Sequence, residues 1–272
     1  MSDPSQPNSE HEDLWRAVLT TGSLSRENRM RAFLGRLPKN PRCKFCHAPF
    51  DGFGGSFVRA LLHKRRSRYN PQYCNACEDF ARDHPGGAEV PMAMLFADVR
   101  GSTTLAEKIS PSEFSRLIDR FYRSATQVLI HSDALIEKLV GDSVTALYFP
   151  GFAGPAYVAR AVRAAHDLLH VTGHTNPAGP WIPVGVGVHS GIAFAGSVGS
   201  EDGVTEFTAL GDAMNVAARL ASHAGTGEII VSEEACMAAH LDTKDLEQRQ
   251  LTLKGRTGLT QVRVLQVTGV SR

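Results

Sequence analysis

Two aspartates in this 272-residue chain lie where strands are predicted to end, a position that suits cation binding. Asp98 follows the apolar run Met92 to Ala97, which is typical of a buried strand. Asp142 lies in a turn between segments 134–140 and 144–149, which together predict a β-hairpin. If this hairpin returns to the first strand, the two carboxylates meet. Taken alone, Asp98 is equally well explained as a helix cap.

Neighbouring carboxylates resist joint ionisation, and a divalent cation between them removes that conflict. Mg²⁺ binds one or two carboxylates and completes its coordination shell with substrate phosphates. The turn after Asp98 contains Gly101, Ser102 and Thr103, and free backbone N–H groups in such a turn can bind phosphate oxygens. The pattern therefore predicts two-metal chemistry at phosphorus.

Further polar residues recur near glycine turns. Lys138 lies four residues before Asp142, where it either marks a sheet edge or faces a ligand. Asn215 and Arg219 share one face of a predicted helix. This face is either an ordinary polar surface or a site that binds ribose and phosphate. Lys254 lies in a glycine-framed basic turn that suits either terminal phosphates or a plain hairpin.

Four of the five cysteines form two C-x2-C pairs, at Cys43, Cys46, Cys74 and Cys77. Two such knuckles suit tetrahedral zinc, although the same thiolates could hold an iron–sulfur cluster or form redox-sensing disulfides. The neighbouring His47 is interpreted as a bystander, and the fifth cysteine, Cys236, as a small core residue. The basic run 63–68 between the pairs indicates a solvated loop rather than a nucleic-acid surface.

Charge is distributed unevenly along the chain. Residues 1–88 contain 14 Lys and Arg against 9 Asp and Glu, whereas residues 89–272 contain 15 against 19. The asymmetry and the breaker cluster His84-Pro85-Gly86-Gly87 predict a boundary between two folding units. We expect a disordered segment over 1–12, a small helical metal-knuckle domain over 13–88 and an α/β domain over 89–272.

Local signals place several elements of the larger domain. The sequence Ser110-Pro111-Ser112-Glu113 predicts a helix that starts with a capping box. The stretch Pro183 to Gly191 predicts a strand whose valines face one way and whose glycines leave the other face bare.

No run of about 18 apolar residues is present, and the polar, acidic amino terminus is unlike a secretory signal. We therefore expect a cytoplasmic protein without a membrane partner.

Four motifs together resemble the class III nucleotidyl cyclases, the adenylate and guanylate cyclases, over about residues 90–267. They are Phe96–Thr103 (FADVRGST), Glu137–Asp142 (EKLVGD), Val186–Gly191 (VGVHSG) and Gly211–Arg219 (GDAMNVAAR). The resemblance implies a ferredoxin-like α/β domain that acts as a head-to-tail homodimer with two sites at the subunit interface.

The resemblance also implies residue roles. Asp98 and Asp142, joined by the carbonyl of Val99, match the ligands of two Mg²⁺ or Mn²⁺ ions. Asn215 and Arg219 match the pair that orients the ribose and stabilises the transition state.

The purine and the phosphates have their own matches. Lys138 and Thr208 match the purine-reading pair in its adenine-selective form, because guanylate cyclases carry Glu and Cys there. Lys254 matches a lysine that holds the terminal phosphates. Gly185 departs from the family pattern, because many members have an arginine at that position. Arg100 or Arg256 is expected to make the triphosphate contact in its place.

The expected function is therefore an adenylate cyclase that converts ATP into cyclic AMP and pyrophosphate. The alternatives are a guanylate cyclase and a nucleotide-binding module whose metal-knuckle domain binds a partner or nucleic acid. Residues 1–88 are expected to be regulatory.

Overall fold

The computed structural model describes residues 9–22, 33–37, 41–67, 72–199, 205–253 and 258–267. The chain forms two compact units that are interleaved in sequence. The first unit contains the chain up to Val90 together with Pro150–Phe152 and Phe194–Ala209, and the second contains the remainder. Over the described residues, no helix combines the length and the apolar character needed to cross a bilayer.

Within its described residues, the first unit contains the helices α1 (Ser9–Thr21), α2 (Gly52–Leu62) and α3 (Asn75–Asp83), and residues 33–36 are also helical. Disorder was expected over residues 1–12, but helix α1 already begins at Ser9. Residues 1–8 lie outside the described part. The negative charges of Glu10 and Glu12 in its first turn interact favourably with the positive end of the helix dipole. Glu12 also forms an ion pair with Arg16 one turn later, at 2.5 Å.

Over the described residues the sheet contains eight strands, and further helices lie between some of them in the chain. The strands are β1 (Gly86–Val99), β2 (Leu135–Val140), β3 (Ser143–Tyr148), β4 (Val184–Gly199), β5 (Thr205–Leu210), β6 (Glu228–Ser232), β7 (Glu247–Thr252) and β8 (Leu259–Gln266). The helices are α4 (Ser102–Lys108), α5 (Pro111–His131), α6 (Pro150–Ala153), α7 (Tyr157–Val171), α8 (Asp212–His223) and α9 (Glu233–Ala238). The strand order is β2-β3-β1-β4-β6-β8-β7, and β5 pairs with β4. This mixed α/β architecture confirms the predicted fold class.

Two apolar clusters within the second unit cover opposite faces of its sheet. Helices α5, α7 and α9 pack on one face, where Val184, Val186 and Val188 of β4 point. Helix α8 packs on the other face through Val216 and Leu220. Alternate residues of a strand point to opposite faces, so β4 contributes to both layers.

Helix α5 confirms the prediction made from its first four residues. The Ser110 hydroxyl accepts a hydrogen bond from the Glu113 backbone N–H, the Ser110 N–H donates to the Glu113 carboxylate, and Pro111 occupies the first turn. Its buried residues, which include Phe121 and Leu129, lie on one face of the helix.

Strands β1 and β4 extend beyond the predicted segments, because their glycines allow close approach rather than breaking the strands. A Cβ atom on Gly196 would lie 2.2 Å from the Gly86 carbonyl oxygen, and one on Gly87 would lie 2.4 Å from the Ala195 oxygen. Gly86 and Gly87 are thus part of strand β1 rather than of a linker. Two backbones can approach this closely only where side chains are absent.

Candidate functional site

The hairpin of β2 and β3 brings Asp142 next to the end of β1. Its turn residue Gly141 has φ of +62°, a conformation that glycine adopts without strain. Strand β3 pairs antiparallel with β1 so that Asp98 faces Ser143, and the Val99 N–H donates to the Asp142 carbonyl at 3.2 Å. The predicted hairpin and its return to the first strand are therefore confirmed, and the role of the two carboxylates as metal ligands stays a prediction.

Arg100 adds a fixed positive charge to this strand end. Its guanidinium forms an ion pair with the Asp98 carboxylate. Its Nη1 donates to the carbonyls of Ser222 at 3.2 Å and Ala224 at 3.4 Å, which ties the strand end to the end of α8. Burial lowers the pKa of Arg100, and the nearby Asp142 opposes that effect. A metal ion bound by Asp98 would compete with this guanidinium for the same carboxylate.

Tyr122 of α5 supports the turn and was not predicted from the sequence. Its hydroxyl donates to the Gly141 carbonyl at 2.8 Å. Burial and the charge of Asp142 raise the pKa of Tyr122, so the hydroxyl remains a donor at neutral pH. Nothing in the local sequence marks this residue, because its partner lies in a hairpin 19 residues away.

The turn after Asp98 leads directly into a helix. Gly101 has φ of +68° and precedes α4, and the Arg100 N–H donates to the Pro183 carbonyl at 2.8 Å. Gly101 and Thr103 are exposed, and Ser102 is half-buried. The first N–H groups of a helix lack partners within it, which suits the predicted contact with phosphate oxygens.

Helix α8 presents the predicted ribose and phosphate residues on a polar face. Asn215 is exposed and Arg219 is half-buried, while Val216 and Leu220 point into the core. This helix rests on the bare face of β4: a Cβ atom on Gly187 would lie 2.2 Å from the Ala221 nitrogen. The predicted bare face therefore receives a helix of the same chain rather than a ligand.

The two predicted purine-reading residues lie in different units. Lys138 is in the second unit on the edge strand β2, with its Nζ atom 3.6 Å from Glu137 Oε1 and its side chain 39% exposed. Thr208 is a buried residue of β5 in the first unit. Lys254 and Arg256 lie outside the described residues.

The four paired cysteines form one buried cluster in the first unit. Their Sγ atoms all lie within 4.8 Å of one another, and those of Cys46 and Cys74 are 3.6 Å apart. Tetrahedral zinc with bonds of about 2.3 Å places sulfur atoms about 3.8 Å apart, which this spacing matches. His47 is not a member of the cluster.

Local hydrogen bonds shape both halves of this cluster. In the first half, the His47 N–H donates to the Cys43 carbonyl at 3.0 Å, which closes a tight turn. In the second half, Cys74 caps α3 and its N–H donates to the Cys43 sulfur at 3.2 Å. Burial raises the pKa of the Cys43 thiol, whereas hydrogen bonds with the other three cysteines lower the pKa of Cys46.

Cys236 is separate from this cluster. It is buried in α9 within the main core, and burial raises the pKa of its thiol to about 11. An uncharged buried thiol of this kind is inert, which confirms its interpretation as a core residue. His189 is likewise a core residue, with its Nδ1 atom 2.8 Å from Ser232 Oγ.

Comparison with known proteins gives a consistent result. The family model described as the adenylate and guanylate cyclase catalytic domain matches residues 88–266. An adenylate cyclase of Anabaena cylindrica is 32% identical over 135 residues, which cover 47% of this chain and 26% of that protein. The chain thus spans far less than two thirds of that relative.

Two solved structures extend the comparison to the fold. The guanylyl cyclase Cya2 aligns with a TM-score of 0.59 at 23% identity, covering 66% of this chain and 93% of the other. The adenylyl cyclase CyaB from P. aeruginosa aligns with a TM-score of 0.56 at 20% identity, covering 68% and 97%. At these identities the similarity shows the fold and leaves the purine undecided.

Proposed function

Because the chain belongs to the adenylate and guanylate cyclase catalytic-domain family, we propose that it converts ATP into 3′,5′-cyclic AMP and pyrophosphate. Members of this family are lyases that use divalent metals and are generally dimeric. The observation that carries the proposal is that the turn with Asp142 pairs with the strand end that carries Asp98, directly before the turn at Gly101.

The residues at this strand end fit a pair of hard cations. Asp98, Asp142 and the carbonyl of Val99 offer only oxygen ligands, which Mg²⁺ and Mn²⁺ prefer. Two such ions per active site would lower the pKa of the ATP 3′-hydroxyl and neutralise the phosphates for in-line attack at the α-phosphorus. The N–H groups at Ser102 and Thr103 then bind phosphate oxygens, with Lys254 at the terminal phosphates.

The purine preference rests on Lys138 and Thr208. Adenine offers an acceptor at N1 and donors at its amino group, which match a lysine donor and a threonine hydroxyl acceptor. Guanine reverses this pattern, and a carboxylate is its natural partner. Guanylate cyclase activity is the second candidate, because the guanylyl cyclase Cya2 shares this fold.

The active sites are completed across a homodimer in this proposal. Asn215 orients the ribose, and Arg219 stabilises the charge that develops at the α-phosphate. Both come from the partner subunit, so two-fold symmetry gives two equivalent sites. A reducing cytoplasm, where ATP is abundant and thiols stay reduced, is the proposed setting.

We propose that the four clustered cysteines bind one structural Zn²⁺ per chain. Four buried sulfur ligands at tetrahedral spacing support this ion, since soft thiolates prefer zinc or iron over Mg²⁺. Metal analysis of the purified chain is expected to give one zinc per chain, and Cys46→Ser to lose it. A visible absorption band with stoichiometric iron would instead identify an iron–sulfur cluster.

A product assay tests the proposed reaction. Purified protein is given ATP or GTP in parallel with Mg²⁺ or Mn²⁺, beside the variants Asp142→Ala and Asp119→Ala. Asp119 is an exposed residue of α5 that pairs with Arg123 and serves as the matched control. We expect cyclic AMP from ATP that disappears only in Asp142→Ala. A folded dimer that binds nucleotide but forms no cyclic product would contradict the proposal and indicate a nucleotide-binding module.

A further inference from the structure

An aromatic contact chain within the first unit links the cysteine cluster to the strand that carries Thr208. Its centre is Trp15 of α1, which is completely buried. The indole ring lies 6.2 Å from the ring of Phe45, 6.2 Å from that of Phe80 and 5.7 Å from that of Phe207, measured between centroids. Such distances lie within the range of favourable aromatic pairs.

Both halves of the cysteine cluster contribute to this contact chain. Phe45 lies between Cys43 and Cys46, and Phe80 follows Cys77 on α3. The Phe45 ring also packs edge-on against Tyr73 at 4.9 Å and Phe152 at 5.0 Å. The position of each ring against Trp15 therefore depends on how the two cysteine pairs are held together.

Trp15 is fixed in orientation as well as position. Its Nε1 donates to the His84 carbonyl at 3.0 Å, and His84 itself stacks on Phe80 at 4.2 Å. A buried indole that is hydrogen-bonded at one edge and packed on three rings transmits displacement of its neighbours rather than absorbing it.

The aromatic contact chain ends at Phe207, the residue next to Thr208. Phe207 and Thr208 are consecutive in β5, so their side chains leave opposite faces of the strand. Contact between Trp15 and Phe207 consequently fixes the backbone from which the Thr208 hydroxyl projects. A shift of about 1 Å in a positioning element is enough to impair recognition.

We propose that the metal held by the four cysteines sets the affinity for the purine, with Trp15 as the positioning residue between them. This inference rests on the proposed function, in which Thr208 reads the purine. Metal bonds hold the two cysteine pairs together; when they are lost, Phe45 and Phe80 move, Trp15 is released, and β5 loses its support. The cysteine cluster thereby makes cyclase activity dependent on zinc supply and thiol oxidation.

Tryptophan fluorescence of the full chain tests the first step directly. The chain has two tryptophans, so Trp181→Phe leaves Trp15 as the sole reporter. Zinc is removed with a chelator, Mg²⁺ is restored, and emission is compared before removal, after removal and after zinc is added back. We expect a red shift on removal that zinc reverses. The same treatment of Cys236→Ala, which alters a cysteine outside the cluster, should give the same reversible shift.

Nucleotide binding tests the second step. Removal of zinc is expected to raise the KM for ATP, and the dissociation constant of a non-reacting ATP analogue, by about tenfold, with a smaller change in kcat. Trp15→Leu should raise both constants while zinc content stays at one per chain, and Trp15→Phe should restore most of the affinity. Retention of zinc in these variants separates positioning from loss of the metal site.

Two results would overturn the proposal. One is a zinc-free, folded chain whose emission and ATP affinity equal those of the zinc-bound chain. The other is Trp15→Leu with wild-type ATP affinity. Failure of the proposed function gives a different pattern, because a zinc-bound chain without cyclase activity still reports the link through its emission and analogue binding.

Discussion

At the scale of single residues, purine choice is the property most open to reversal. We expect the double variant Lys138→Glu with Thr208→Cys to lose cyclic AMP formation by about a hundredfold or more and to gain activity on GTP, because unpaired polar groups in a binding site reject the wrong ligand. Parallel assays with ATP and GTP measure the change. Lys108→Glu, a charge reversal at the exposed end of α4, is the matched control and should leave the purine preference unchanged.

For single residues, a position is predictable from the sequence when its signals are local, and it is not when its partners are distant in sequence. The approach of the Asp142 turn to the strand end at Asp98 is predictable, because each residue follows a strand pattern and the hairpin has local signals. Tyr122 and the contacts of Arg100 with the end of α8 were missed, because these partners are distant in sequence. Pairings across such distances are set by tertiary packing, which no local pattern records.

Among the elements, the contact of α8 with β4 leaves no room for added volume. Gly187→Ala would place a Cβ atom 2.2 Å from the Ala221 nitrogen and 2.7 Å from the Ala217 oxygen, both in helix backbone that cannot yield locally. We expect displacement of α8, with a stability loss of about 1–3 kcal/mol and a sharp fall in kcat, since α8 carries Asn215 and Arg219.

Denaturant unfolding and steady-state kinetics measure these two effects. Gly35→Ala is the control, because its Cβ atom would meet only His47 Nδ1 at 3.6 Å, an ordinary contact. If Gly187→Ala behaves like this control, α8 does not depend on the bare face of β4.

The loop between α7 and β4 gives the fold a pH dependence. His174 is buried, its Nδ1 lies 3.1 Å from the Leu169 carbonyl, and its Nε2 accepts from the Val184 N–H at 3.2 Å. Burial lowers the pKa of His174, so the folded chain resists a proton that the unfolded chain accepts. The free energy of unfolding is therefore expected to fall as the pH drops below the ordinary histidine pKa of about 6.5.

Thermal denaturation at about pH 7.5 and about pH 5.5 tests this dependence. The loss of Tm on acidification should be smaller in His174→Gln than in the wild-type chain, and unchanged in His166→Gln, which alters an exposed histidine of α7. Equal losses in all three proteins would assign the pH dependence to other groups.

Element boundaries were predicted unevenly, for a physical reason. Helix α5 starts where its capping box indicates, because all the contacts of that signal lie within four residues. Strands β1 and β4 were predicted too short, because Gly86 and Gly196 are breakers by local preference. In the fold these glycines allow two backbones to approach, a role that depends on the partner strand.

At the scale of the whole molecule, the proposed homodimer makes a quantitative prediction. If each site takes Asp98 and Asp142 from one subunit and Arg219 from the other, Asp142→Ala and Arg219→Ala are inactive alone. Mixed in equal amounts and allowed to exchange subunits, half of the dimers are heterodimers with one intact site of two. Activity is then expected to recover to about a quarter of the wild-type value.

A second mixture decides what such a recovery means. Asp98→Ala and Asp142→Ala alter ligands on the same side of the proposed site, so neither subunit of their heterodimer supplies a complete ligand pair and activity should stay absent. Recovery in the first mixture alone requires sites shared between subunits, because a site built within one chain stays broken in every subunit of both mixtures. Absence of recovery in both, with subunit exchange verified by size and labelling, would contradict shared sites and make each chain responsible for its own chemistry.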